Sequence, residues 1–202
     1  MRIPNKAETK LLEPFKTIPL NQIFVPISKA EFIQATDEIK LAKVVGFDTE
    51  TKPVFTKGEK SDGPHVVQFS LKNKAFIFQL HHSNCKKYLL QIFQSEDIVK
   101  VGFGLSSDHK HIYNKFGVKL KSVFDLNQVF QKKGYRSQVG ARASIAIVFN
   151  QYFHKSRKTS TSNWALPKLS NNQLLYAAND AYVPLCVFNE LGLVIENGQL
   201  VD

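Results

Sequence analysis

The alternation of apolar and polar positions divides the chain into short strands and longer helices. Apolar runs without alternation, typical of strands buried on both faces, occupy residues 44–47 and 98–103. Residues 66–71 and 75–80 predict two more strands, and Lys72-Asn73-Lys74 predicts a hairpin turn between them. A shorter strand is expected around residues 122–124. The chain therefore contains both hairpin-linked strands and strands separated by longer segments.

Helices are indicated by capping boxes and by apolar residues at helical spacing. Ser28-Lys-Ala-Glu31 predicts a helix that begins at Ser28, and Ser170-Asn-Asn-Gln173 predicts a long helix that ends near Leu191. Further helices are expected from Ser83 to Phe93, from Ser106 or Ser107 to Gly117, after a cap at Asp125, and from Gly140 to about Tyr152.

The order of these elements predicts the fold class. An early hairpin, followed by strands that alternate with helices, indicates an α/β fold with a mixed β-sheet flanked by α-helices. Residues 1–26 contain four of the eight prolines and no clear periodicity, so we expect an extended leader packed on the domain. Residues 27–202 are predicted to form a single domain.

Composition narrows the class of protein. Hydrophobic residues make up 43% of the chain, enough for a core, and no apolar run approaches the ~18 residues that a membrane span needs. We see no secretory signal, and two cysteines cannot form a disulfide framework. These features predict an intracellular protein, cytoplasmic or, in a eukaryote, nuclear.

The balance of charge suggests a polyanionic partner. Lys and Arg outnumber Asp and Glu by 27 to 17, which gives a net charge of +10. Such a surface suits nucleic acid, although a generically basic protein explains the charge equally well. A loop with Lys155, Arg157 and Lys158 is the best candidate for contacting a strand backbone, with a solvated loop as the alternative.

Two carboxylates share one strand end. Asp48 and Glu50 directly follow the apolar run 44–47, and residues i and i+2 of a strand project from the same face. Like charges at this spacing repel unless a cation neutralises them, and carboxylate oxygens suit Mg²⁺ or Mn²⁺. A solvated strand end is the alternative explanation.

Two further polar positions lie on predicted helices. Tyr176 and Asp180 are four residues apart and share a helix face, and Pro184 cannot donate to the carbonyl of Asp180. Asp108 lies in the first turn of its helix, where the helix dipole alone favours a carboxylate. Each signal has an ordinary structural explanation when taken by itself.

Taken in order, these motifs resemble the DEDDy family of 3′→5′ exonucleases. The matching segments are Gly46-Phe-Asp48-Thr-Glu50, Val101-Gly-Phe-Gly-Leu-Ser-Ser-Asp108 and Tyr176-Ala-Ala-Asn-Asp180. Ser162-Asn-Trp164 is similar to the Werner-syndrome-type branch, with ribonuclease D as a related branch. Leu175 stands where a sibling class has histidine, which favours the tyrosine class.

The resemblance implies a ribonuclease H-like fold and a site for two divalent cations, Mg²⁺ or Mn²⁺. Asp48 would bridge both cations, Glu50 and Asp180 would complete the first, and Asp108 would support the second. Tyr176 would orient the attacking water. The implied activity is hydrolysis of a nucleic-acid strand, DNA in the first instance, from its 3′ end to nucleoside 5′-monophosphates.

Several alternatives stay open. The chain could be a ribonuclease D-like enzyme that processes RNA ends, a catalytically silent nucleic-acid-binding module, or a phosphatase with Asp48 as nucleophile. His109 could reach a substrate phosphate, and Trp164 could stack on a base or serve as a packing anchor. A helicase or repair partner cannot be identified from the sequence.

Overall fold

A computed structural model of the chain describes residues 1–54, 56, 58, 61–196 and 199–201. Its main sheet has six strands, of which β3 is antiparallel to both of its neighbours and the other pairs are parallel. The strands are β1 (Ile23–Phe24), β2 (Val44–Glu50), β3 (Val66–Ser70), β4 (Ala75–Gln79), β5 (Val99–Gly102) and β6 (Val123–Asp125). They lie in the order β1-β4-β3-β2-β5-β6, so the predicted mixed sheet is confirmed.

Eight helices of the described residues surround this sheet. They are α1 (Lys6–Thr9), α2 (Lys29–Ala42), α3 (Lys86–Phe93), α4 (Ser106–Phe116), α5 (Asn127–Lys132), α6 (Ala141–Phe149), α7 (Arg157–Ser160) and α8 (Asn171–Glu190). A separate hairpin follows, with strands β7 (Val194–Glu196) and β8 (Gln199–Val201). Within the described ranges, every helix is too short or too polar to cross a membrane.

The two faces of the sheet carry different side chains. Phe47 and Phe69 lie on one face, in an apolar core with side chains of α2 and α3. Successive residues of a strand alternate between faces, so Gly46, Asp48 and Glu50 point to the opposite face, which α8 covers. We call this side the α8 face.

Helix α8 lies unusually close to the sheet. A Cβ atom built at Gly46 would lie 1.7 Å from the carbonyl oxygen of Ala181, so the helix backbone occupies the space of a side chain. The Ser70 hydroxyl donates to the carbonyl of Ala178 at 2.7 Å. These two contacts fix α8 against β2 and β3, and they position Asp180 beside the central strand.

Both predicted capping boxes are confirmed, at Ser28 before α2 and at Ser170 before α8. Strand β2 continues beyond the apolar residues 44–47 to Glu50, because Asp48 and Glu50 pair with Gln68 and Val66 of β3. The two carboxylates therefore lie at the carboxyl end of the strand, as predicted.

Other predicted element ends were wrong for local reasons. Ser83 begins a 3₁₀ turn without a side-chain cap, and α4 begins at Ser106 with Leu105 at the N-cap position. Helix α6 ends at Phe149 rather than near Tyr152, because Asn150 adopts a left-handed conformation with φ of 53°.

The leader contains more regular structure than predicted. Helix α1 and a strand, β1, lie within residues 1–26, and β1 pairs with β4 at the sheet edge. The Asn179 side chain accepts from the amide of Ile18 at 2.8 Å and donates to its carbonyl at 3.3 Å. The boundary at residue 26 stays a prediction. The sequence also predicts a polar, glycine-containing loop over residues 55–64, of which residues 55, 57, 59 and 60 lie outside the described residues.

Candidate active site

Strand β2 and helix α8 bring three acidic side chains together. Asp48, Glu50 and Asp180 each contribute one carboxylate oxygen to a group in which all three atoms lie within 4.8 Å of one another. Glu50 and Asp180 are buried, and Asp48 is half-buried. The spacing of i and i+2 on β2 and the close approach of α8 at Gly46 together produce this cluster.

Asp108 contacts the same strand through Thr49, the residue between Asp48 and Glu50. Its Oδ1 atom accepts a hydrogen bond of 2.5 Å from the Thr49 hydroxyl, and Thr49 points away from the α8 face. Burial is the larger cause that raises the pKa of Asp48, and the charge of Asp108 raises this pKa further. Asp108 therefore lies next to the three-carboxylate group without belonging to it.

Burial and mutual repulsion destabilise the ionised form of these carboxylates. Burial raises the pKa of Asp48 and Glu50 well above their usual range, and neighbouring carboxylates raise both further. Burial also raises the pKa of Asp108 and of Asp180. Such an arrangement is expected where a bound cation neutralises the acids.

A lysine supplies positive charge within the cluster. Lys155 was predicted to contact a nucleic-acid backbone, but its Nζ lies 2.7 Å from Oδ2 of Asp180 and 5.3 Å from the centre of the Tyr176 ring. Burial lowers the pKa of Lys155, and the charges of Asp180 and nearby groups more than offset this and raise it. Lys155 is therefore a charged member of the site.

The donor set fits a divalent cation. Oδ1 of Asp180 is buried and has no hydrogen-bond partner among the described residues, although the other oxygen of the same carboxylate bonds to Lys155. A buried carboxylate oxygen without a partner is rare and costly. Because all the candidate ligands are oxygen atoms, the cluster suits a hard cation such as Mg²⁺ or Mn²⁺.

Tyr176 and Trp164 form the wall beside Asp180. Their rings are 5.8 Å apart, and Trp164 is 1% exposed, with its Nε1 donating to the carbonyl of Ser160. A ring buried to this extent has no free face for a base, so Trp164 is a packing anchor rather than a stacking platform. Burial and the charge of Asp180 raise the pKa of Tyr176, which keeps its hydroxyl protonated.

The remaining predicted contacts lie farther out. Arg157 and Lys158 are exposed on α7, and neither forms an ion pair within the part of the chain that the structure describes. His109 is half-buried beside Asp108, and burial lowers its pKa. The structure does not bring these three side chains into the carboxylate cluster.

Two supporting residues were missed as parts of the site. Thr49 holds Asp108, as described above. Asp125, predicted as a helix cap, accepts from the amide of Asn127 and also from the amides of Gly104 and Leu105, at 3.0–3.1 Å. It thereby fixes the turn that leads into α4 and Asp108. The position of Thr49 between Asp48 and Glu50 is a signal that the sequence contains. The role of Asp125 depends on a contact between β6 and the turn after β5, which the sequence does not show.

Comparison with known families agrees with this geometry. Residues 26–196 match a family model described as 3′-5′ exonuclease, and the match includes all four acidic residues and Tyr176. The chain belongs to this 3′-5′ exonuclease family. Membership makes a metal-dependent nuclease site the natural interpretation of the acidic cluster.

Individual relatives place the chain within the family. It is 26% identical to the bifunctional 3′-5′ exonuclease/ATP-dependent helicase WRN of Mus musculus over 93% of this chain and 14% of the relative. It is 31% identical to a 3′-5′ exonuclease of Arabidopsis thaliana over 68% of this chain and 49% of that protein. The chain thus spans half or less of the length of these relatives.

A solved structure supports the fold. Trypanosoma brucei RNase D in complex with RNA U12 aligns with a TM-score of 0.73 at 18% identity, covering 84% of this chain and 62% of that one. At this identity the likeness concerns the fold, which is the predicted ribonuclease H-like one.

Proposed function

We propose that this chain is a two-cation 3′→5′ exonuclease that hydrolyses DNA from the 3′ end and releases nucleoside 5′-monophosphates. The observation that carries the proposal is the cluster of Asp48, Glu50 and Asp180, with one oxygen of each within 4.8 Å of the others. Asp108 accepts a hydrogen bond from Thr49 of the same strand, and Tyr176 lies one helical turn before Asp180.

In this proposal the carboxylates hold the cations and the tyrosine orients water. Asp48 would contribute to both cation positions, Glu50 and Asp180 would complete one, and Asp108 would support the other. The two divalent cations, Mg²⁺ or Mn²⁺, would lower the pKa of an attacking water and stabilise the leaving 3′ oxygen. Because burial raises the pKa of Tyr176, its hydroxyl acts as a hydrogen-bonding group and not as the base.

Lys155 reduces the negative charge of the site. A phosphodiester is anionic, and four neighbouring carboxylates would repel it. The ammonium group at 2.7 Å from Asp180 offsets one of these charges within the cluster itself. The exposed Arg157 and Lys158 on α7 extend positive charge outwards from Lys155, which supports a path for the strand backbone along this segment.

RNA is the second candidate substrate. DNA is proposed because the motifs resemble the Werner-syndrome-type branch, whereas the structural likeness to an RNase D bound to RNA supports an exoribonuclease. A silent binding module is disfavoured because all four acids and Tyr176 are present. A phosphatase is disfavoured because Glu50 stands where a second aspartate would be expected.

A gel assay tests this proposal. DNA and RNA strands of the same sequence, labelled at the 5′ end and either single-stranded or 3′-recessed, are incubated with Mg²⁺, Mn²⁺ or EDTA. We expect a ladder that shortens from the 3′ end, depends on the cation and is faster on DNA. Faster degradation of RNA would identify an exoribonuclease instead.

The control is Asp48→Ala, which removes the residue assigned to both cation positions. Its ladder should be absent while binding of the strand is retained. A salt-sensitive mobility shift without degradation by the unmodified chain would contradict the proposed activity and support a binding module.

A further inference from the structure

Gln68 carries a buried amide that the proposed mechanism does not use. The residue lies in the middle of β3 and is 0% exposed. Both polar atoms of its side chain, Nε2 and Oε1, are buried and have no hydrogen-bond partner among the described residues. A buried amide without any partner destabilises the fold, because both groups lose their hydrogen bonds to water.

The register of the sheet places this amide next to the candidate site. Gln68 is paired directly with Asp48 across the β2–β3 ladder. Directly paired residues of antiparallel strands project from the same face, with their Cβ atoms about 4.5–5.5 Å apart. Gln68 therefore lies on the α8 face as the immediate cross-strand neighbour of Asp48.

The neighbours of Gln68 in the sheet do not form a hydrogen bond with this amide. Ser70, the next residue of β3 on the same face, is bonded to the backbone of α8. Ile77, the partner of Gln68 on β4, is apolar. Among these direct neighbours, the Asp48 carboxylate is the polar group that an amide N–H could bond, and its Oδ1 already accepts from the Thr49 amide at 2.8 Å.

We propose that Gln68 is a positioning residue for Asp48. In the complex with cation and nucleic acid, its Nε2–H group donates to the Asp48 carboxylate and fixes the orientation of that carboxylate within the cluster. This inference rests on the proposed function and assigns a role to a residue outside its motifs. The cost of burying an unpartnered amide is then explained by the site and not by packing.

A second glutamine provides a matched control. Gln79 lies on the neighbouring strand β4, faces the same side of the sheet and is also buried. Its Nε2 donates to the carbonyl of Leu166 at 2.9 Å, so this amide has a structural partner. Methionine has a similar length and no amide, which makes Gln68→Met and Gln79→Met a comparable pair.

The two roles predict opposite effects on stability. In EDTA, Gln68→Met should raise the melting temperature, because an unpartnered buried amide is replaced by an apolar side chain. It should also reduce the increase in melting temperature that Mn²⁺ produces. Its kcat on the preferred strand should fall by about 10- to 100-fold, the effect of one hydrogen bond to a charged group, with little change in KM. Gln79→Met should lower the melting temperature and leave kcat within about twofold.

Three outcomes would overturn the proposal. A lower melting temperature with a parallel loss of activity would make Gln68 a structural residue, and Gln68→Leu repeats the test if the methionine variant does not fold. A higher melting temperature with unchanged kcat and an unchanged response to Mn²⁺ would show that the site does not use Gln68. If no strand is degraded by the unmodified chain, the proposed function fails separately, and an unchanged Mn²⁺ response in Gln68→Met would still refute the role of Gln68.

Discussion

Replacing Gly46 with alanine tests whether the close approach of α8 to β2 sets the site. Gly46 lies two residues before Asp48, and its missing side chain leaves room for the backbone of α8 at Ala181. Ala181 directly follows Asp180. Any outward movement of the helix at this point therefore separates Asp180 from the two carboxylates on β2.

The structure gives the size of the movement. An alanine Cβ would lie 1.7 Å from the carbonyl oxygen of Ala181, whereas carbon–oxygen contacts are normally about 3.3 Å or longer. The two atoms must therefore separate by about 1.6 Å. Overpacking of this kind costs about 1–3 kcal/mol, and a misplacement of about 1 Å in a catalytic site costs about 100-fold in rate.

Two measurements separate stability from activity. Urea denaturation should show that Gly46→Ala lowers the free energy of unfolding by about 1–3 kcal/mol. At a temperature where the variant is fully folded, its kcat should fall by about 100-fold or more. Gly140→Ala is the matched control, because a Cβ there has no atom within 4 Å and the backbone φ is −87°.

One result would refute this reasoning. If Gly46→Ala is folded and retains the kcat of the Gly140→Ala control, the distance between α8 and β2 does not determine the arrangement of the carboxylates.

Three further predictions concern buried side chains. Lys100 is buried, and its Nζ donates to the carbonyls of Ile92 and Ser95. Burial lowers the pKa of Lys100 to about 7. The unfolded chain therefore binds more protons than the folded chain between pH 7 and 10. The free energy of unfolding should therefore rise with pH from 7 to 9, with a smaller slope in Lys100→Met; equal slopes in urea titrations would exclude Lys100 as the cause. Lys155→Met should lower the melting temperature in EDTA and enlarge the rise in melting temperature that Mn²⁺ produces, because it removes the ammonium group paired with Asp180. An unchanged response to Mn²⁺ in thermal melts would contradict this. Trp164→Ala should cost about 3–5 kcal/mol, while Trp164→Phe should retain the KM for a DNA strand; a large increase in KM for the phenylalanine variant would restore a role in base binding.

Local spacing predicted two pairs of site residues, and the family resemblance predicted that they meet in one acidic site. Asp48 and Glu50 share a face because they are two residues apart on a strand, and Tyr176 and Asp180 share a face because they are four apart on a helix. The family resemblance then supplied the order of the motifs, which the match over residues 26–196 supports.

Contacts between distant segments could not be predicted in the same way. Lys155 was assigned to the nucleic-acid backbone because its segment is basic, yet its position against Asp180 depends on how that segment packs on α8. Trp164 directly follows a polar run at residues 160–163, and its burial depends on a core that includes Val66 and Ala177. Strand β1 was missed because two residues carry no periodicity, and its pairing with β4 is a tertiary contact.

Binding of Mn²⁺ by isothermal titration calorimetry tests the central claim most directly. The titration compares the unmodified chain, Asp180→Asn and the Gly140→Ala control at one pH and salt concentration. The account predicts saturable binding by the unmodified chain and by Gly140→Ala, and strongly weakened binding by Asp180→Asn. Equal binding by all three proteins would show that the cluster of Asp48, Glu50 and Asp180 is not the cation site.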